Sequence, residues 1–233
     1  MNLQIIEECV STNAAIPREA PHGFALMALK QNAGRGQRGN SWESESGKNI
    51  TLSLMLRPEG MEAARQFEIS EAVALGVLDL LRSLGIEDVA VKWPNDVYVG
   101  DRKVCGILIE NALAGPYVSR SIAGIGLNVN QRKFLSDAPN PVSLRQLTGR
   151  EYPLAELAEE MVGNILRRLE SGKNHVDFLA NLYRRSGSHP WALPDGTRFL
   201  ASIINVSPTG FLTLSEYPDR PFAFKEVSYL ISN

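Results

Sequence analysis

The 233-residue sequence has only two cysteines, Cys9 and Cys105, too few for a disulfide framework and without the spacing of a metal site. Both read as reduced thiols with packing roles. No apolar run approaches the roughly 18 residues of a membrane-spanning helix, and the start, "MNLQIIEECVSTN", lacks the basic and apolar segments of a secretory signal. The expectation is a cytoplasmic chain with no membrane partner. Histidine is scarce: His22, His175 and His189 are scattered and form no ligand pair, which leaves them surface or packing roles. There is no G-x-S-x-G elbow, no Walker A loop and no zinc signature. Formal net charge is only −2, so no global field draws the chain onto nucleic acid, and any anion site must be local.

What is present looks globular. Apolar residues make up 44% and charged residues 21%, ordinary values for a folded chain. The length suits one large domain or a main domain with a small appendage. "FALMALK" (24–30) and "NITLSLML" (49–56) read as strands, the second with Ile50, Leu52, Leu54 and Leu56 alternating onto one face. Ile69, Val73, Val77, Leu80 and Leu84, spaced by three or four with Gly85 as a C-terminal cap, predict a helix covering one sheet face. "VAVKW" (89–93), "DVYV" (96–99), "KVCGILIE" (103–110) and "VSRSIAGIGLNVN" (118–130) read as further extended segments. Leu154, Leu157, Met161, Ile165 and Leu169 form a helical stripe, and Phe178 with Leu182 begins another. After "SGSHPWALPDG" (186–196), short strands and turns predict a small β module of about 45 residues.

Two stretches concentrate chemistry. "GRGQRG" (34–39) matches G-x-G-x-x-G, yet "NSWESESGKN" follows it with no helical stripe, so no helix N-terminus is available for a pyrophosphate. A kinase glycine loop is also excluded, because no H-R-D or D-F-G triplet occurs. Glycines alone would fit a mobile hairpin loop. Arg35, Arg38 and Trp42 add guanidinium forks and a stacking ring, and together these favour an anionic, planar ligand such as a nucleotide or acyl phosphate.

The second stretch is "KWPNDVYVGDRKVCGILIE" (92–110). Its charges fit a solvated hairpin, but Lys103 directly precedes an apolar run that would anchor its stem and fix its ammonium. Such a lysine can neutralise charge developing on a phosphate or carbonyl oxygen. Asp96 and Asn95 fit Mg²⁺ shared with substrate phosphates. "STN" (11–13) offers hydroxyls and an amide at an expected helix start, and helix capping by itself accounts for the motif.

In this order, "STN", "Q-x-x-GRGQRG-x-x-W", "KWPNDVYVGDRKVCGILIE", "GIGLNVN" (124–130) and "KEVSYLI" (225–231) resemble the bacterial type of biotin protein ligase over nearly the whole chain. The resemblance implies an α+β fold: a mixed β-sheet flanked by helices in a domain of residues 1–187, and a small SH3-like β barrel in 188–233. It implies that biotin and Mg·ATP form biotinyl-5′-adenylate and pyrophosphate. The biotinyl group would then pass to a lysine of a biotin carboxyl carrier protein domain.

By motif position, Ser11, Thr12, Asn13 and Gln31 would hold the ureido head of biotin, and Arg35, Gly36 and Gln37 its tail and the phosphate. Trp42, Arg38, Lys92, Asn95 and Asn128 would meet the nucleotide, and Gly106 the pocket wall. Lys103 would contact the reacting carboxyl and phosphate, with Arg35 and Asp96 as further catalytic groups. Asp96 is open to either of two roles, metal ligand or acceptor of the incoming lysine's proton.

Two departures from the family pattern stand out. Relatives often read "GRGRRGR", so Gln37 replaces an arginine fork and Asn40 another cation, and the adenylate is expected to be held less tightly unless Arg35, Arg38 or Lys48 compensates. Only ten residues precede Ser11, too few for a helix-turn-helix domain, so DNA is not an expected partner. The chain would act as a monomer or homodimer. The rival readings are a lipoate or octanoate ligase, against which the polar "STN" and Gln31 argue, and a non-catalytic biotin or nucleotide sensor, against which Lys103 argues.

Overall fold

The computed structural model describes residues 2–135 and 140–231. Its centre is a seven-stranded sheet built from β1 (Asn2–Cys9), β2 (Phe24–Gln31), β3 (Ile50–Leu56), β4 (Val89–Lys92), β5 (Asp96–Val99), β6 (Arg102–Ala114) and β7 (Tyr117–Leu127), in the order β1-β2-β3-β7-β6-β5-β4. The pair β1–β2 is parallel and the others antiparallel, so the sheet is mixed. The edge strand β1 was not among the sequence expectations. It has no fully buried position, and without a buried face its residues give no clean alternation.

Helix α2 (Phe67–Ser83) covers one face of the sheet, and Gly85 follows it in the left-handed conformation that terminates helices. Beside α2 lies α4 (Leu154–Ser171), which contacts both α2 and β3 and buries Leu157, Met161 and Ile165 of its predicted stripe. The two helices approach closely at Gly76, where a Cβ would stand 2.5 Å from Ile165 Cγ1. A short helix, α5 (His175–Ala180), packs on α2, and another, α3 (Leu144–Thr148), is hydrogen-bonded to the segment that follows β7. Strand β3 departs from simple alternation, since all seven of its residues are buried. Its second face is covered by the segment around α1 (Thr12–Ala15), where Ile16, Ala20, Phe24, Leu26 and Met55 form a small cluster of their own. Thr51 and Ser53 are therefore buried polar groups, and they have hydrogen-bond partners, as burial requires.

Beyond residue 188 the chain forms β8 (His189–Ala192), β9 (Arg198–Ala201), β10 (Ile203–Val206), β11 (Leu212–Leu214), β12 (Tyr217–Phe222) and β13 (Ser228–Tyr229). These are the short strands expected of the tail. They pair as two three-stranded antiparallel sheets, β10-β11-β12 and β13-β8-β9, and among the described residues the pairing does not close into a barrel. Trp191, Val206, Leu212, Leu214 and Phe222 are buried, and they belong to the same hydrophobic cluster as the large sheet. Trp93 ties the two parts together by donating from Nε1 to the Gly210 carbonyl at 2.9 Å. No helix among the described residues is long and apolar enough to cross a membrane.

Candidate functional site

One cavity of about 260 Å³ lies on the face of the large sheet opposite α2, and it gathers motifs far apart in sequence. Ser11, Thr12, Asn13, Gln31, Arg35, Gly36, Gln37, Trp42, Lys92, Asn95, Asp96, Lys103 and Gly106 all line it. Two of the expected positions differ. Arg38 lies in the turn Gln37–Gly39, and its side chain is outside the described residues. Asn128 does not line the cavity: it is buried behind it, with Nδ2 directed to the Val142 carbonyl at 3.2 Å.

At one end of the cavity the lining side chains Ser11, Thr12, Asn13 and Gln31 are polar and uncharged. Ser11 is the N-cap residue of α1, but it makes no side-chain capping bond, so capping does not account for this motif. Thr12 instead donates from its backbone N and from Oγ1 to Gln31 Oε1, at 2.7 and 3.2 Å. Ser53, on β3, donates to Asn13 Oδ1 at 2.5 Å and lies 2.8 Å from Thr12 Oγ1. Asn13 Nδ2 donates to Glu110 Oε2 at 2.7 Å, an arrangement that fixes which way the amide faces. The backbone of β7 makes room for it, because a Cβ on Gly124 would collide with the Asn13 side chain.

The other end is cationic. Lys103 Nζ pairs with Asp96 Oδ1 at 2.7 Å, both side chains being mostly buried, and lies 5.5 Å from the centre of the Trp42 ring. Pairing across β5 and β6 explains the meeting: Asp96 is opposite Gly106 and Tyr98 opposite Lys103, and the bulge between these pairs turns Lys103 onto the face that carries Asp96. Lys92 stands one strand further out, opposite Asp96 on β4. Burial lowers the pKa of its ammonium, opposed by the charge of Asp96 and reinforced by Lys103 and Arg184.

Between the two ends runs the 18-residue connection from β2 to β3 that holds the glycine motif. It folds back on itself, with Arg35 and Ser41 bridged and Trp42 N donating to the Gly34 carbonyl at 2.9 Å. A Cβ on Gly34 would stand 2.7 Å from the Trp42 carbonyl oxygen, so this return needs glycine. No α-helix begins within the motif, only the single tight turn Gln37–Gly39, in line with its rejection as a dinucleotide fingerprint.

The fold-back lays the Trp42 indole over β6 and β7: a Cβ on Gly106 would be 2.8 Å from Cζ3, and one on Gly126 would overlap the ring. Trp42 Nε1 and Gln37 Oε1 are buried with no hydrogen-bond partner. Such groups are costly unless a ligand completes them. Arg35 reaches back to Glu110 Oε2 at 3.3 Å, so one carboxylate holds both the loop and Asn13.

Glu110, Ser53, Gly124 and Phe224 belong to the site but were not predicted as site residues. Glu110 ends the quoted "KVCGILIE" run, whereas the others reach the cavity only through strand pairing or from the C-terminal module. Cys105 is buried, and burial raises its thiol pKa, in keeping with a packing role.

A sequence model of the Biotin/lipoate A/B protein ligase family matches residues 12–129, the segment from α1 to the end of the glycine-containing strand β7. The chain belongs to this family. Among curated relatives, it is 32% identical over 192 residues to the bifunctional ligase/repressor BirA of Bacillus subtilis, covering 80% of this chain and 57% of the relative. It is 31% identical to the biotin–[acetyl-CoA-carboxylase] ligase of Mycobacterium tuberculosis, covering 78% and 69%. Against BirA of Escherichia coli the identity is 39%, over 52% of this chain and 38% of the relative. The family chain described here thus spans between 38% and 57% of the length of the first curated relatives it matches. In fold it is similar to the biotin protein ligase of Aquifex aeolicus solved with biotin and ATP, with a TM-score of 0.82, 24% identity and 99% of both chains covered.

Proposed function

We propose that this chain is a biotin protein ligase that joins biotin to ATP as biotinyl-5′-adenylate and then passes the biotinyl group to a carrier lysine. The observation that carries the reading is a single cavity whose neutral hydrogen-bonding end and cationic end are spanned by one glycine loop. Relatives named as biotin ligases, and a similar fold solved with biotin and ATP, support it.

In the first step a carboxylate oxygen of biotin attacks the α-phosphorus of ATP. The new O–P bond forms as the bond to the bridging oxygen breaks, and pyrophosphate leaves. Two anions must meet, and Lys103 and Arg35 lower that repulsion while the cavity fixes their approach. Ser11, Thr12, Asn13 and Gln31 hold the ureido head, and Gly36 and Gly106 let ligand approach the backbone. Gln37 and Trp42 complete their unpaired groups on the adenylate. Lys92 takes the phosphate chain. Arg38, by its loop position, joins it, and Asn128 supports the nucleotide side by bracing the backbone behind Lys103. In the second step the carrier lysine's amine attacks the acyl carbon, AMP leaves with the carboxyl oxygen, and the amine loses a proton.

Asp96 is the one carboxylate among the described lining residues, and no group of three His, Cys, Asp or Glu among the described residues could hold a metal. That set fits a Mg²⁺ that arrives on ATP, because magnesium is commonly held by one or two carboxylates plus substrate phosphates. Asp96 and Asn95 would hold it, and it would neutralise phosphate charge. We assign most of the cavity wall to a unit of residues 1–187 and treat 188–233 as an accessory β unit that adds Phe224 to it.

The test is exchange of labelled pyrophosphate into ATP with Mg²⁺ and one acid at a time. Exchange with biotin is expected. Exchange with lipoate alone would move the chain to a lipoate ligase, and no exchange from the folded protein would contradict an adenylating enzyme.

A further inference from the structure

Lys92 is held differently from Lys103, the other lysine that lines the site. Its Nζ lies 5.3 Å from the centre of the Tyr98 ring and 4.9 Å from that of Tyr229, both inside the roughly 6 Å of a cation–π contact. Asp96 stands opposite in register, yet its Oδ1 is engaged by Lys103 at 2.7 Å. Lys92 itself forms no ion pair among the described residues, and burial, not a carboxylate, dominates its environment.

The second ring of this seat comes from outside the large sheet. Tyr229 is on β13, paired with Trp191 across the strands, the two rings tilted against each other with centres 4.1 Å apart. Its other neighbour is Tyr183 at 5.6 Å, which lies 5.3 Å from Tyr98. The Tyr183 hydroxyl donates to Asp101 Oδ1 at 2.5 Å. The aromatic group therefore runs from the C-terminal module to the hairpin that carries Lys92 and Asp96, and its position is fixed at both ends.

We propose that Tyr229 is a positioning residue, which with Tyr98 seats the Lys92 ammonium between two aromatic faces so that it meets the phosphate chain of a nucleoside triphosphate. An aromatic face attracts a cation without lending it a full negative charge. A carboxylate in the same place would neutralise Lys92 and compete with the incoming phosphates. The C-terminal module thereby sets nucleotide affinity through one ring. The inference rests on the ATP-dependent reading above.

Pyrophosphate exchange with saturating biotin and varied Mg·ATP tests it in the full chain. Tyr229→Met and Tyr229→Leu remove the ring, Tyr229→Phe keeps it, and a thermal unfolding scan identifies the folded variants. A folded ring-deleted variant should raise the KM for ATP about fivefold with little change in kcat, while Tyr229→Phe stays near wild type. In a Lys92→Met background, deleting the ring should raise KM no further, since the two residues act as one unit. An unchanged KM on ring deletion, or an equal rise with and without Lys92, overturns the inference alone. A folded wild type that exchanges no pyrophosphate overturns the ATP-dependent reading and the inference with it.

Discussion

Lys103 owes its position to two constraints that act on different atoms. Its stem leads into the buried run of β6, and its ammonium is tied to Asp96 at 2.7 Å. A lysine so held loses little freedom when an anion arrives, the condition for electrostatic stabilisation of charge that develops during reaction. Lys103→Ala should leave a folded protein that is less stable by about 1–3 kcal/mol, because Asp96 loses its partner in a largely buried place. Biotin-dependent exchange should fall on the order of 100-fold or more. Circular dichroism with thermal unfolding and the exchange assay measure the two effects separately, and a folded variant with normal exchange would remove Lys103 from the chemistry.

At the scale of elements, the connection between β2 and β3 is the part most open to change. Its glycines let the chain return on itself and lay Trp42 over Gly106 and Gly126. Gln37 presents an oxygen with no partner, where an arginine would offer a charged fork. Charge-assisted hydrogen bonds are about twice as strong as neutral ones, so Gln37→Arg should slow release of the adenylate by about fivefold in a filter-binding chase. Equal release rates would show that Gln37 does not limit retention.

Much of this scale was legible in the sequence. A period of two placed β3, periods of three to four placed α2 and α4, apolar runs placed β2 and β6, and the quoted motifs named most of the residues around the cavity. The remainder depends on neighbours distant in sequence. Edge strand β1 lacks a buried face to mark it. Ser53 looked like the outward half of an alternating strand until α1 covered that side. Helix capping sufficed for Ser11 in the sequence, whereas the folded chain leaves it without a capping bond. Glu110 gains its role only when β6 carries it beside both Asn13 and Arg35.

For the whole molecule, the joining of the two parts matters most. One hydrophobic cluster extends from the large sheet into the C-terminal strands, Trp93 bonds to Gly210, and Phe224 reaches the cavity wall. The accessory strands thus contribute to the same cavity as the sheet, and Tyr229 gives that contribution a specific chemical form. In the proposed reading, one end of the pocket takes an acid with a hydrogen-bonding head and the other a polyphosphate. The most direct measurement is mass spectrometry of the protein incubated with Mg·ATP and equal amounts of biotin and lipoate. Biotinyl-5′-adenylate should appear with one pyrophosphate for each adenylate formed. Lipoyl adenylate in its place, or no acyl adenylate from a folded protein, would contradict the assignment of this cavity to biotin activation.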